Sequence, residues 1–321
     1  MHALTTNLAE HPFLQCLTDQ TVELISRHMA EETVEAGQTI FEEGQPANCF
    51  YLVQSGRIAL EWREPNHDLS HVQTLGPGTV LGWSWLFPPF RWHLKASALQ
   101  RSRLARIDGA QLLALSRENP AFGYELMKRV AEVLIGRLQA VQQRLREAQY
   151  RLSPPPHCAN KTSPAREIPP NESLKQRIAR HPFLAGMDAG HLQTLADAAL
   201  PVKFAAGQFI FEEGEIANRF YLIDQGEVSI GEHGEEGDSI AVQTIGPGDV
   251  LGWSWLFAPY YWHFDARALT PTAAIFFYGT RLRDQCEADH LLGCELMKRA
   301  IQVVMQRLES ARQRLAQAPS K

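Results

Sequence analysis

Apolar and polar positions along the chain follow two different periods, and the switch between them happens twice. Residues 21–29 and 191–199 carry apolar side chains at helical spacing and read as short amphipathic helices. From Glu32 to about Ile107, short runs of Val, Ile, Phe, Tyr and Leu alternate with turns that contain Gly or Pro. Phe50-Tyr-Leu-Val-Gln-Ser-Gly is one such run and Leu75-Gly-Pro-Gly one such turn. Strands of that length and spacing predict a small antiparallel sandwich or barrel. After Asp108 the period becomes helical again, and 121–149 reads as one long amphipathic helix.

The pattern repeats because the sequence does. His11-Pro-Phe-Leu returns as His181-Pro-Phe-Leu, Gly37-Gln-Thr-Ile-Phe-Glu-Glu-Gly as Gly207-Gln-Phe-Ile-Phe-Glu-Glu-Gly, and Glu125-Leu-Met-Lys-Arg as Glu295-Leu-Met-Lys-Arg, all at one constant offset. The stretch Leu-Gly-Trp-Ser-Trp-Leu-Phe at 81–87 is identical at 251–257, and a Trp-His pair follows each copy at the same distance. A repeat of this length is a whole domain rather than a solenoid unit. Between the copies, residues 153–170 are rich in Pro and Ser and read as an extended linker. The expected organisation is a first domain at 1–150, a linker at 151–174 and a second domain at 175–321.

The long helices carry a seam of coiled-coil type. Met127, Val130, Leu134, Leu138, Val141 and Leu145 step by three or four residues, as do Met297, Ala300, Val304, Leu308, Ala311 and Leu315. With a rise of about 1.5 Å per residue, the first stretch outruns what one barrel can cover, which predicts helix pairing. The two seams differ in size, and a linker of about 20 residues can span on the order of 60 Å. The two copies are therefore expected to pair within one chain, through segments 130–145 and 300–315.

Composition narrows the classes. With 45% hydrophobic and 21% charged residues in 321, the chain reads as a globular protein of two ordinary domains. A net charge of −5 carries no electrostatic footprint for nucleic acid. No apolar run reaches the roughly 20 residues of a membrane span, and the N-terminus has no secretion signal, so a cytoplasmic location is expected. Cys16, Cys49, Cys158, Cys286 and Cys294 do not recur at equivalent positions and form no Cys-x-x-Cys pair. Reduced cysteines are expected, with neither a disulfide framework nor a zinc site.

The order Gly-Gln-x-Ile-Phe-x-Glu-Gly, Asn-x-Phe-Tyr-Leu, Gly and Gly-Pro-Gly-x-Val-Leu-Gly resembles the cyclic-nucleotide-binding domain, in two tandem copies over roughly 11–149 and 181–317. That family includes the protein kinase A regulatory subunit and the catabolite activator type of bacterial regulator. The resemblance implies a mainly β fold, two β-jelly-rolls with flanking helices, each followed by a long amphipathic helix. It also implies a ligand cassette in which a Glu after Gly-x-Val-Leu-Gly binds ribose and an Arg farther on binds the cyclic phosphate. This chain departs at both places. Trp83 and Trp253 stand at the Glu position, and Trp92 and Trp262 at the Arg position. An indole has one donor and no charge and can take neither role.

Candidate ligand-binding residues are then Gly82, Trp83, Ser84, Trp85, Arg91, Trp92 and His93, with Gly252, Trp253, Ser254, Trp255, Trp262 and His263 in the second copy. Arg91 and Lys95 could still attract an anion in the first copy, where the second has Tyr261 and Asp265. The tryptophans either form an aromatic box or fill the space of a nucleotide, and strand alternation would put Trp83 and Trp85 on one face. His93 and His263 could ligate haem, as in gas-sensing relatives of the family, but a single shared His per copy without a second ligand favours a hydrogen-bonded side chain. His11 and His181 precede Pro at a helix start and read as structural. Glu42-Glu43 and Glu212-Glu213 precede Gly in a turn, and no catalytic constellation or metal set repeats, so no enzyme is expected. No helix-turn-helix has room after either long helix, so DNA binding is not expected. The reading is a sensor or regulatory protein of altered ligand specificity, for a cyclic nucleotide or another small molecule, acting through an unidentified protein partner. The alternatives are an interaction scaffold with Trp-plugged pockets, a transcription regulator by descent, and a haem sensor.

Overall fold

The computed structural model describes residues 10–63, 69–87, 89–147, 172–233, 239–256 and 260–317. Most of the proline-rich linker, with Cys158, lies outside them. The described residues form two compact units, those up to Gln142 with those from Ile301, and those from Gln143 to Ala300.

In the first unit, helix α1 (Asp19–Ser26) precedes eight strands. These are β1 (Met29–Val34), β2 (Thr39–Phe41), β3 (Cys49–Ser55), β4 (Ile58–Arg63), β5 (Leu69–Leu75), β6 (Val80–Leu81), β7 (Lys95–Ala98) and β8 (Ser102–Asp108). They build two four-stranded sheets in the orders β1-β8-β3-β6 and β2-β7-β4-β5, with every pairing antiparallel. This is the jelly roll that the strand spacing and the resemblance imply. Core residues such as Phe50, Leu52, Ile58, Leu75, Leu81 and Leu104 fill the space between the sheets. Helices α2 (Gly109–Glu118) and α3 (Pro120–Glu147) follow. The Asp108 carboxylate caps α2 by accepting the N–H groups of Ala110 and Gln111 at 2.8 and 3.1 Å.

The second unit repeats the plan. Helices α4 (Leu174–Arg180) and α5 (Ala189–Ala198) lead into β9 (Ala199–Phe204), β10 (Phe209–Phe211), β11 (Arg219–Gln225), β12 (Val228–His233), β13 (Ser239–Ile245), β14 (Val250–Leu251), β15 (Asp265–Ala268) and β16 (Thr272–Tyr278). The sheets run β14-β11-β16-β9 and β10-β15-β12-β13. Helices α6 (Gly279–Ala288) and α7 (His290–Gln317) close the chain.

Two of the repeated motifs have a common structural purpose. Arg129, in the Glu-Leu-Met-Lys-Arg motif of α3, donates to the carbonyls of Phe13 and Pro12 at 3.2 and 2.9 Å. Arg299 of α7 does the same to Phe183 and Ala185 at 2.6 and 3.0 Å. The His-Pro-Phe-Leu motif is thereby fastened to the long helix that follows its own barrel. His11 and His181 are buried, and each Nδ1 accepts the N–H of the Phe two residues on, at 3.2 and 3.3 Å. Burial pushes His181 down to about 4. Both are structural histidines that need to stay neutral.

The seam residues Val130, Leu134, Leu138 and Val141 of α3 and Ala300, Val304, Leu308 and Ala311 of α7 are buried. The side chains of Leu145 and Leu315 lie outside the described residues. The C-terminal part of α7, from Ile301, belongs to the first unit, where it meets the barrel beside α3.

Candidate functional site

The site begins where β6 ends. Gly82 turns the chain at φ 90°, a conformation that favours glycine, and a Cβ there would stand 3.0 Å from the Cys49 carbonyl oxygen and 3.2 Å from the Trp92 ring. Gly252 repeats this at φ 90°, with the Arg219 carbonyl oxygen at 2.7 Å and the Trp262 ring at 3.0 Å. Beyond each glycine the chain coils into a 3₁₀ helix, Ser84–Leu86 and Ser254–Leu256. This corrects the expectation of strand alternation. At three residues per turn, residues two apart point to different sides, so the two tryptophans of each motif separate.

They go to different neighbours. The Trp83 ring packs on Phe50 and Phe13 at centroid distances of 5.0 and 6.1 Å. The Trp85 ring lies over the first residue of α2, where a Cβ on Gly109 would fall 2.7 Å from it. Trp253 and Trp255 repeat these placements, on Phe220 at 5.1 Å and over Gly279, where a Cβ would fall 2.7 Å from the Trp255 Cβ and 3.0 Å from its ring. Trp92 stacks on Phe41 at 4.1 Å, and Trp262 on Phe211 at 3.9 Å. Each such stack adds about 0.5–1.5 kcal/mol beyond its buried area.

Tryptophan does not fill the first barrel. A cavity of about 580 Å³ remains, lined on the barrel side by Phe41, Leu60, Trp62, Val72, Leu81, Gly82, Trp83, Ser84, Trp92, His93 and Leu94. Leu134 and Arg137 of α3 line it from one helix, and Met305, Leu308, Glu309 and Arg312 of α7 from the other. The volume lies within the range of small-molecule sites, roughly 300–1,000 Å³. Gly82, Trp83, Ser84, Trp92 and His93 thus share one cavity, whereas Trp85 and Arg91 are not among its lining residues. Arg91 is exposed and donates to the Gly44 carbonyl at 2.7 Å, and Lys95 pairs with Glu42 at 3.1 Å. His93 sits half-exposed, 3.9 Å from Glu309.

The charged groups facing the cavity are ones the sequence reading did not single out. Arg137 donates to the Val80 carbonyl, and its guanidinium lies 6.0 Å from the Trp83 ring centroid. Burial and the like charge of Arg312 pull Arg137 down to about 9. Burial pulls Arg312 down to about 10 against the attraction of Glu309. Both stay charged at neutral pH. Their sequence signal was weak: each lies beside a seam residue on a helix rich in Arg, and nothing local tells a cavity-facing arginine from a solvated one.

The second barrel is arranged differently. Phe264 occupies the position of Leu94 and packs on the cluster of Trp262, Phe211, Tyr221 and Leu251. Asp265, at the position of Lys95, is buried and accepts the Glu213 N–H at 2.7 Å. A separate cavity beside Trp253 and Trp255 has a volume of about 10 Å³, too small for more than one water. His263 is half-buried beside Trp262.

Comparison with known proteins agrees with the fold. The profile of the family described as "Cyclic nucleotide-binding domain" matches residues 31–119 and 201–289, more than half of the chain. A CRP-like cAMP-activated global transcriptional regulator of Mycobacterium tuberculosis is 28% identical over 143 residues, 44% of this chain and 62% of that protein. A cAMP-dependent protein kinase regulatory subunit of Schizosaccharomyces pombe is 35% identical over 81 residues, 25% of this chain and 18% of that protein. The chain thus spans less than two thirds of either relative. Among solved structures, a cyclic nucleotide-binding protein of Geobacter metallireducens is 29% identical, with a TM-score of 0.38, covering 41% of this chain and 96% of that one. With both copies matched in order and both built as jelly rolls, the chain belongs to the cyclic nucleotide-binding domain family, as a tandem pair.

Proposed function

We propose that this protein is a non-enzymatic sensor or regulatory protein whose first barrel binds a small molecule other than cyclic AMP and whose response passes through the long helices to a protein partner. One observation carries the reading. The first barrel keeps a cavity of about 580 Å³ although both positions that serve the nucleotide in this family hold tryptophan. Trp92 lies flat on Phe41 at 4.1 Å, where a phosphate would need a cation. Trp83 is committed to Phe13 and Phe50 and offers no acceptor to a ribose hydroxyl. Because α3 and α7 both wall the cavity, a ligand that touches them binds one helix arrangement better than another, which is what coupling to a partner requires. The second barrel, with Phe264 packed against its core and Asp265 beside the phosphate position, serves as an interaction module.

Titration calorimetry with cyclic AMP tests this. No binding tighter than micromolar, about −8 kcal/mol, is expected. A sub-micromolar dissociation constant would refute the altered specificity.

A further inference from the structure

We propose that the cavity of the first unit is a site for a monoanion with an apolar or aromatic body, its carboxylate-type head held between Arg137 of α3 and Arg312 of α7. The proposal rests on the reading of this barrel as a ligand-binding one and names the class of ligand.

Two guanidinium groups border a cavity whose other walls are largely apolar, and among the described residues only one carboxylate, Glu309, joins them there. Charges are rarely kept in apolar surroundings without a partner, because desolvation costs several kcal/mol per ion. The protein itself leaves donors over. Among the described residues, Arg312 donates from Nη2 to the Gln73 side chain at 3.3 Å, and its buried Nε has no acceptor. The buried indole Nε1 of Trp83, in the same cavity wall, has none either. Arg137 commits one of its five donors to the Val80 carbonyl. An arginine fork matches two carboxylate oxygens in geometry as well as charge. One bound anionic head would neutralise the excess of two cations over one carboxylate.

The rest of the cavity selects the body. Phe41, Leu60, Trp62, Leu94, Leu134 and Leu308 present hydrocarbon and aromatic faces. The anion lies toward the helices, away from the barrel position that Trp92 has taken. The two copies differ at the residues that build this site. Arg137 recurs as Arg307, but the first-copy counterpart of Arg312 is Gln142, and Leu94 is replaced by Phe264. The first cavity therefore obtains its second guanidinium from the last helix, and ligand binding fastens that helix to the barrel.

The test uses the full chain with 2-naphthoate and decanoate, each against its neutral amide, by calorimetry. At least one acid is expected to bind about tenfold or more tighter than its amide. Arg312→Met and Arg137→Met should each weaken the acid by about tenfold or more and leave the amide unchanged. Thermal melts establish that the variants fold. Leu94→Phe, which installs the residue of the second copy, should abolish binding of acid and amide alike. Equal binding of acid and amide, or arginine variants that bind the acid normally, overturns the anion site while leaving the barrel a ligand site. Failure of both acids and both amides to bind at millimolar concentration overturns both readings.

Discussion

Replacing Arg312 by methionine should stabilise the ligand-free protein. Arg312 lies partly buried on α7 among Met305, Leu308 and the barrel wall, near Arg137 and with an unsatisfied Nε. Burial lowers its pKa to about 10 from the ordinary 12.5. At about 1.4 kcal/mol per unit, the charged form is disfavoured in the folded state by up to about 3 kcal/mol. Partial exposure reduces this, and the substitution also forfeits the 3.3 Å bond to Gln73, worth about 0.5–1 kcal/mol. Methionine has nearly the length of the arginine stem and no charge to desolvate. A net gain of about 1–2 kcal/mol follows, in line with replacement of buried charges elsewhere by apolar residues. The sign in pH is fixed by the direction of the shift. A base whose pKa falls on folding is penalised at every pH below its folded value, and the penalty fades only as pH rises through it, so a neutral buffer measures the full effect. Differential scanning calorimetry at pH 7 should show the first unit melting about 2–6 °C higher in Arg312→Met. Arg27→Met, at an exposed arginine paired with Glu23, is the control and should change little. A melting point lowered in Arg312→Met would mean that the guanidinium is satisfied within the protein and that no strain is held for a ligand. Gain of stability with loss of acid binding is the mark of a binding residue rather than a structural one.

Two further outcomes are expected. His181 is neutral in both states above pH 6.5; between there and its folded value of about 4 the unfolded chain takes up a proton that the folded chain refuses. Stability of the second unit should therefore fall by up to about 3 kcal/mol as pH drops through that window, and His181→Gln should flatten the dependence in acid melts; an unchanged slope would place the acid sensitivity elsewhere. His93 and Glu309 approach to 3.9 Å across the rim of the first cavity, so cysteines at these two positions in a background without other cysteines should be joined by a short bismaleimide within one chain. Products found only as dimers would show that the last helix reaches a barrel of another molecule.

The strand and helix periods, the constant offset between copies and the repeated motifs determine two jelly rolls with their helices, because strand alternation, turn residues and helical spacing are local properties that a sequence carries openly. That Trp83 and Trp92 stand where the resemblance leads one to expect a Glu and an Arg is equally visible, since it concerns residue type within a motif. What those tryptophans do was decided by tertiary structure. The positive φ at Gly82 and Gly252 and the 3₁₀ turns after them send Trp83 and Trp85 to different neighbours, which strand alternation could not foresee. The same motif also lines a cavity of about 580 Å³ in one copy, while in the other the difference between Leu94 and Phe264, lying outside the motif, lays a partly buried aromatic ring against the core. Arg312 is the clearest case. Its helical periodicity says only that it stands next to Ala311, and it became part of the first cavity because residues 301–317 fold with a barrel far away in sequence. Periodicity specifies which face of a helix is apolar, and only packing between distant segments specifies what that face and its flanking charges meet.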